Sequence, residues 1–227
     1  MIIKLATFNI RAGKGAADVF DITRVCKKIP EIKADVVALQ EVDKGLKRSC
    51  YMDEPTHIGQ MTHMHSVFAK AIDFEGGKYG VAMLSNEVPI ATRTVPLPGS
   101  EEKRVLLICE YKDYVVCCAH LSLVHEDRMS SIEIIESELC GHYNKPVFFF
   151  FFFNTKPDSA EIIRFEEKFK ILSDMAKPTF PSTRPEICID YILLLRECED
   201  KVEIIETYTD DDTEASDHVY VSVKVSW

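Results

Sequence analysis

The chain contains no CxxC pair, no glycine- or serine-rich linker, no internal repeat and no apolar run of membrane-spanning length. Each absence removes a class of protein. Without CxxC spacing, Cys26, Cys50, Cys109, Cys117, Cys118, Cys140, Cys188 and Cys198 do not read as zinc ligands. Reduced thiols in a reducing compartment are the simplest account of them, and adjacent Cys117 and Cys118 in a strand would bury on opposite faces. Without a linker or repeat, residues 1–227 read as a single domain, and a hydrophobic share of 46% supplies a sizeable core. The opening "MIIKLATFNI" reads as a strand rather than a signal peptide, so the expected location is cytoplasmic, although a removed leader would leave no trace. Positive charge is also scarce. With 27 Lys and Arg against 37 Asp and Glu, the net charge of −10 argues against a broad grip on the nucleic-acid backbone and leaves room for a local basic pocket only.

What the chain has in abundance is short β-branched and aromatic runs. Turn signals bound strand candidates near 2–9, 35–40, 66–72, 79–86, 90–96, 104–112, 114–120, 146–153, 189–195, 202–208 and 218–225. Helical spacing is rarer. It appears after Asp18 as a cap in "VFDITRVCKKI", where Val19, Ile22, Val25, Cys26 and Ile29 form a stripe. It appears again over 126–143, which "LVHEDR" would cap, and after Asp158 and Ser159. So many strands exceed one open sheet. The pattern predicts an α+β fold, a four-layer αββα sandwich of two mixed β-sheets flanked by helices.

Several strands carry, at one end, a polar residue that a core has no use for. Asn9, Glu41, His120 and Asn154 come late in their strands, whereas Asp190 and the pair Asp217/His218 come at strand starts. If the last strands run opposite to the others, all of these meet at one rim. Glu41 is a hard oxygen ligand suited to Mg²⁺ or Mn²⁺, and Asp217 adds a second carboxylate. Asn9 and Asn154 can orient a phosphate or a water without adding charge, and His120 can donate to a phosphate oxygen. Asp190 beside His218 has the logic of an imidazole with an orienting carboxylate. Together these groups describe metal-assisted cleavage of a phosphoester. By contrast, His57, His63 and His65 share no face in any regular element, and "TDDDTEASD" lacks the glycine of a calcium loop and reads as a solvated hairpin loop.

The pieces "LATFNIRAG", "VVALQEVD", "GGKYGVAMLSN", "CCAHLSL", "FNTKPDS", "CIDYILL" and "ASDHVYVSVKV", in this order, resemble the endonuclease/exonuclease/phosphatase superfamily. That resemblance implies a four-layer sandwich and divalent-metal-dependent phosphoester hydrolysis with Mg²⁺ or Mn²⁺. It implies Glu41 as metal ligand with Asn9 as its neighbour, His120 on the phosphate, and Asn154 orienting the nucleophile. Asp190 would partner the catalytic His218, with Asp217 closing the site, while Tyr79 and Arg104 would line the substrate cleft.

One place departs from the family pattern. The strand before Asn154 normally ends Gly-Asp-Phe-Asn, and the aspartate positions or deprotonates the attacking water. Here Phe151 and Phe152 stand where that glycine and aspartate belong, in the run "VFFFFFFN". A phenyl ring cannot take up a proton, and loss of a positioned base costs about 10²–10⁴ in rate. Phe148 to Phe150 are expected simply to fill a buried strand, whereas alternation would turn Phe152 the way Asn154 turns. Two readings follow. The first is a phosphoesterase acting on a phosphorylated small molecule, a lipid headgroup or a nucleic-acid fragment. The second is an inert relative that keeps the cleft as a phosphate-ligand-binding or interaction protein.

Overall fold

The computed structural model describes residues 1–152, 158–212 and 214–227, with Phe152 described by its backbone alone. Among these residues two six-stranded sheets form. The first contains β1 (Ile2–Asn9), β2 (Val36–Lys44), β3 (His65–Phe74), β4 (Gly77–Ser85), β11 (Glu203–Thr209) and β12 (Val221–Ser226), in the order β11-β12-β1-β2-β4-β3. The second contains β5 (Ala91–Leu97), β6 (Arg104–Glu110), β7 (Val115–His120), β8 (Val147–Phe152), β9 (Phe169–Ile171) and β10 (Asp190–Leu195), in the order β5-β6-β7-β8-β10-β9. Both are mixed, because β1 runs parallel to β2 and β7 parallel to β8, while β12 opposes β1 and β10 opposes β8.

Alternation along the strands builds three apolar layers. Leu5, Val36, Ala38 and Met83 of the first sheet meet Leu107, Val116, Phe148, Phe150 and Ile192 of the second between the sheets. Phe149 and Phe151 point the other way, packing with Ile132, Ile135 and Leu139 of α3 (His125–Leu139) and with Ile162 and Phe165 of α4 (Ala160–Glu166). On the far side, Val37 and Leu39 pack with Ile22, Val25 and Ile29 of α1 (Ile22–Ile32) and with Ile58 of α2 (Glu54–Thr62). The result is the α+β four-layer sandwich read from the sequence. Phe148, Phe149 and Phe150 are completely buried, and Cys117 and Cys118 fall in different layers, as their alternation requires. All eight cysteines are free thiols, and no described helix is long and apolar enough to cross a membrane.

The structure corrects several local expectations. Asp18 does not cap α1; it stands at φ +59° within the loop closed by a Lys14–Phe20 bridge, and Asp21 is the cap, accepting from the Thr23 amide. Val19 is consequently exposed rather than part of the stripe. The cap position of α3 is Val124, with no side-chain bond, and the helix stops at Leu139 rather than 143. The acidic loop after β11 is tied back rather than freely solvated, since Asp210 and Asp212 both pair with Lys28 of α1.

Candidate active site

Strand direction brings the polar ends together. β1 and β2 run in parallel, so Asn9, the last residue of β1, lies on the same edge as Glu41, and antiparallel β12 brings the preceding Asp217 and His218 back to that edge. In the second sheet, β7 ends at His120 and β10 begins at Asp190. The two edges meet. His218 Nδ1 lies 2.9 Å from Asp190 Oδ2, a hydrogen bond that joins the sheets with both residues almost wholly buried.

Glu41 owes its position to a backbone irregularity. Between Leu39 and Val42 the β2–β4 register shifts, and Glu41 takes φ +56°. The one extra residue reverses the alternation, so that Val42 joins the helix-side layer with Val37 and Leu39, although even-numbered Val36 and Ala38 face the other sheet. A left-handed glutamate is costly, on the order of 1–3 kcal/mol, and such conformations concentrate at functional sites. The Asn9 amide nitrogen donates to Glu41 Oε1 at 2.8 Å, while Asn9 Oδ1 accepts from the Arg11 backbone at 3.0 Å. Asn9 as placed therefore orients the carboxylate with its nitrogen.

Charges around this centre are coupled. Burial raises the Glu41 carboxyl pKa; the Asn9 bond, His218 and Arg104 oppose the rise, and Asp217 adds to it. Burial disfavours charge on His218, but Asp190, helped by Asp217 and Glu41, outweighs it and the imidazole pKa is raised. The opposite holds for His120. Burial, with Arg104 and His218 nearby, takes it well below the ordinary range and keeps it neutral. Arg104, at the start of β6, pairs with Glu102 at 2.8 Å, and its buried Nε has no hydrogen-bond partner among the described residues. Tyr79 follows the β3–β4 hairpin, where the neighbouring residue must be glycine because a Cβ at position 80 would lie 2.0 Å from the Ala69 carbonyl oxygen.

The donor set can be tested against a divalent cation. Mg²⁺ and Mn²⁺ need only one or two protein carboxylates, with waters and substrate oxygens completing the shell. The absence of a three-residue His/Cys/Asp/Glu cluster among the described residues is compatible with that requirement. Glu41, a hard oxygen ligand whose half-buried charge has the Asp217 carboxylate acting on it, is a group that a cation would relieve, so the site fits such an ion. Asp217 is partly engaged elsewhere, with Oδ2 3.2 Å from Arg11 Nε.

Asn154 lies outside the described residues, as does the side chain of Phe152. The backbone of Phe152 pairs with His120 on one side and Asp190 on the other. Phe151 is completely buried against the helices, with its ring 4.7 Å from that of Phe165. Three residues around the candidate site lacked a sequence signal strong enough to single them out. Arg11, two residues after Asn9, holds Asp217; Phe180 lays its ring 4.8 Å from that of His218; and Arg48 reaches Tyr79 from a separate turn.

The family model for the Endonuclease/Exonuclease/phosphatase family matches residues 6–133, more than half of the chain. Among solved structures, an endonuclease/exonuclease/phosphatase from Beutenbergia cavernae is similar at a TM-score of 0.80 and 19% identity, over 99% of this chain and 71% of that one. A mannosyl-6-phosphatase from Bacteroides thetaiotaomicron aligns at a TM-score of 0.75 and 13% identity, over 99% of this chain and 100% of that one. The human nocturnin catalytic domain with bound sulfate aligns at a TM-score of 0.73 and 16% identity, over 99% and 94% of the two chains. No curated protein matches the sequence.

Proposed function

Because the chain belongs to the Endonuclease/Exonuclease/phosphatase family, we propose that it is a divalent-metal-dependent phosphoester hydrolase acting on a small or lipid-linked phosphoester. The observation that carries this reading is the His218–Asp190 bond, 2.9 Å long, at an edge electrostatically coupled to Glu41. Glu41, aimed by Asn9, would hold Mg²⁺ or Mn²⁺ with Asp217 close by, and the bound ion would supply Lewis-acid polarisation of a phosphoryl oxygen. His218, whose protonated form Asp190 favours, would stabilise charge developing on phosphate oxygens. Neutral His120 would donate to a non-bridging oxygen, and Asn154 would orient water. Arg104, whose buried Nε has no hydrogen-bond partner among the described residues, and Tyr79 would contact the substrate. The net charge of −10 favours a small phosphoester or a lipid headgroup over long duplex DNA.

A second reading rests on residue 152. Its backbone lies in register between His120 and Asp190, and the residue there is phenylalanine, where an aspartate would position the attacking water. An inert chain that binds phosphate ligands without cleaving them would carry such a change. The two readings separate on a panel of phosphomonoesters, phosphodiesters and oligonucleotides assayed with Mg²⁺ or Mn²⁺, for the native chain and for Phe152→Asp combined with Phe151→Gly. Turnover by the native chain eliminates the inert reading, and turnover by the double variant alone supports it. Mn²⁺ binding measured on Glu41→Gln reports on the centre itself. A weakening of tenfold or more is expected, and undiminished affinity would remove Glu41 from the metal.

A further inference from the structure

Arg48 lies in the 3₁₀ turn Lys47–Ser49 that follows β2, and nothing in the proposed reaction uses it. Its Nε donates to Asp43 Oδ2 at 2.8 Å and its Nη2 to Asp43 Oδ1 at 2.7 Å. The pair is asymmetric, since Asp43 is completely buried while the Arg48 side chain stays 36% exposed. The guanidinium carbon lies 5.2 Å from the ring centre of Tyr79 and 5.3 Å from that of Phe74. Asp43 and Tyr79 are register partners across β2 and β4, so the same pairing fixes the carboxylate and the ring beneath the cation. Nη1, with two N–H groups, makes no hydrogen bond to the described residues.

A guanidinium held along one edge by two hydrogen bonds and lying over an aromatic face has lost most of the freedom that an exposed arginine gives up on binding an anion. Its remaining edge is a pre-oriented double donor, suited to phosphate oxygens. Its location gives it relevance to the site, because its partner Asp43 lies two residues beyond Glu41 on β2, opposite Tyr79 of β4.

We propose that Arg48, stacked on Tyr79, forms a second anion subsite beside the Glu41 centre and selects ligands carrying a second phosphate or phosphonate group. This inference rests on the phosphoesterase reading for its first anion site.

Binding tests it without requiring turnover. Inorganic phosphate, methylenebisphosphonate and propane-1,3-bisphosphonate are titrated calorimetrically into the Mg²⁺-supplemented native chain, into Arg48→Gln, and into Arg48→Met combined with Asp43→Asn. The last variant removes both charges, so no unpaired buried carboxylate threatens the fold. The native chain is expected to prefer at least one bisphosphonate over phosphate by about tenfold, the scale of one charge-assisted hydrogen-bonding edge. Both variants should lose that preference while binding phosphate within about twofold of native. A preference that survives in a folded variant, or that is missing from the native chain while phosphate binds, overturns the subsite and leaves the phosphate centre standing. If none of the three probes binds the native chain, the phosphate centre itself fails, and the subsite fails with it.

Discussion

The side-chain amide of Asn9 donates to Glu41 at 2.8 Å, linking the last residue of one strand to a left-handed residue in the parallel strand beside it. The bond explains how a strained backbone can present a carboxylate in one orientation. Asn9 is completely buried, with its oxygen already used by the Arg11 amide, so its nitrogen has one direction open. The bulge turns Glu41 out of the ordinary alternation, and Asn9 fixes where the turned side chain ends.

Asp190→Asn should test the imidazole arrangement with little change of shape. In whichever form of the chain shows turnover, kcat is expected to fall by about 10²–10⁴ with KM changed little, because the amide cannot hold a cationic imidazole as the carboxylate does. Steady-state kinetics with the best substrate of the panel supply the measurement. A kcat within threefold of the parent would mean that the bond to His218 is structural only.

Phe151→Gly should be costly in itself. The ring is completely buried among Phe149, Phe165 and the helix layer, and emptying such a place costs about 3–5 kcal/mol. For a chain of this length that is a fall in melting temperature of about 10 °C. Differential scanning calorimetry of the single variants checks this, and an unchanged midpoint would contradict the packing. Phe152→Asp alone is therefore the better first attempt at restoring chemistry.

Glu54, the first residue of α2, gives a pH dependence away from the reaction centre. It is completely buried; Oε2 accepts from the Asp43 amide at 2.7 Å, and Oε1 has no hydrogen-bond partner among the described residues. Burial pushes its carboxyl up to about 8, with the Asp43 amide and Arg48 opposing and the Asp43 charge reinforcing the rise. The folded value exceeds that of the unfolded chain, about 4.3, so the native state holds the proton more tightly. The resulting stability is fully present below the unfolded value and is lost as pH rises through the folded one. Between pH 5 and 8 the native chain should lose a few kcal/mol more than Glu54→Gln, on the order of 1.4 kcal/mol per pH unit at most. Urea unfolding at stepped pH reads the difference, and parallel curves for the two proteins would refute it.

Much of the layer order was legible because β-branched and aromatic residues crowd the strands and turn residues separate them. β9 escaped notice since three residues, Phe169–Ile171, carry no period. α2 escaped because Pro55 and Gly59 interrupt it and only Ile58 among its residues enters the apolar layer. Asp18 and Asp21 look equally able to cap a helix, and the Lys14–Phe20 bridge decides between them by enclosing Asp18 in the loop it closes. At the candidate site, polar residues at strand ends could be picked out individually, and antiparallel returns of β10 and β12 account for their meeting. The bulge at Glu41 left no mark, because a shifted register depends on the partner strand. Arg11 and Arg48 were equally hidden, since each acts through a carboxylate, Asp217 or Asp43, that only folding brings within reach.

Asn9, Glu41 and His218 ride on one slab of the sandwich, and His120 and Asp190 ride on the other. The gap between the slabs is spaced by the filling of Phe148, Phe150 and their neighbours. That interior thus acts as a spacer gauge for the candidate site's groups, and a volume change in the middle of the protein would open or pinch that edge without altering a single polar residue.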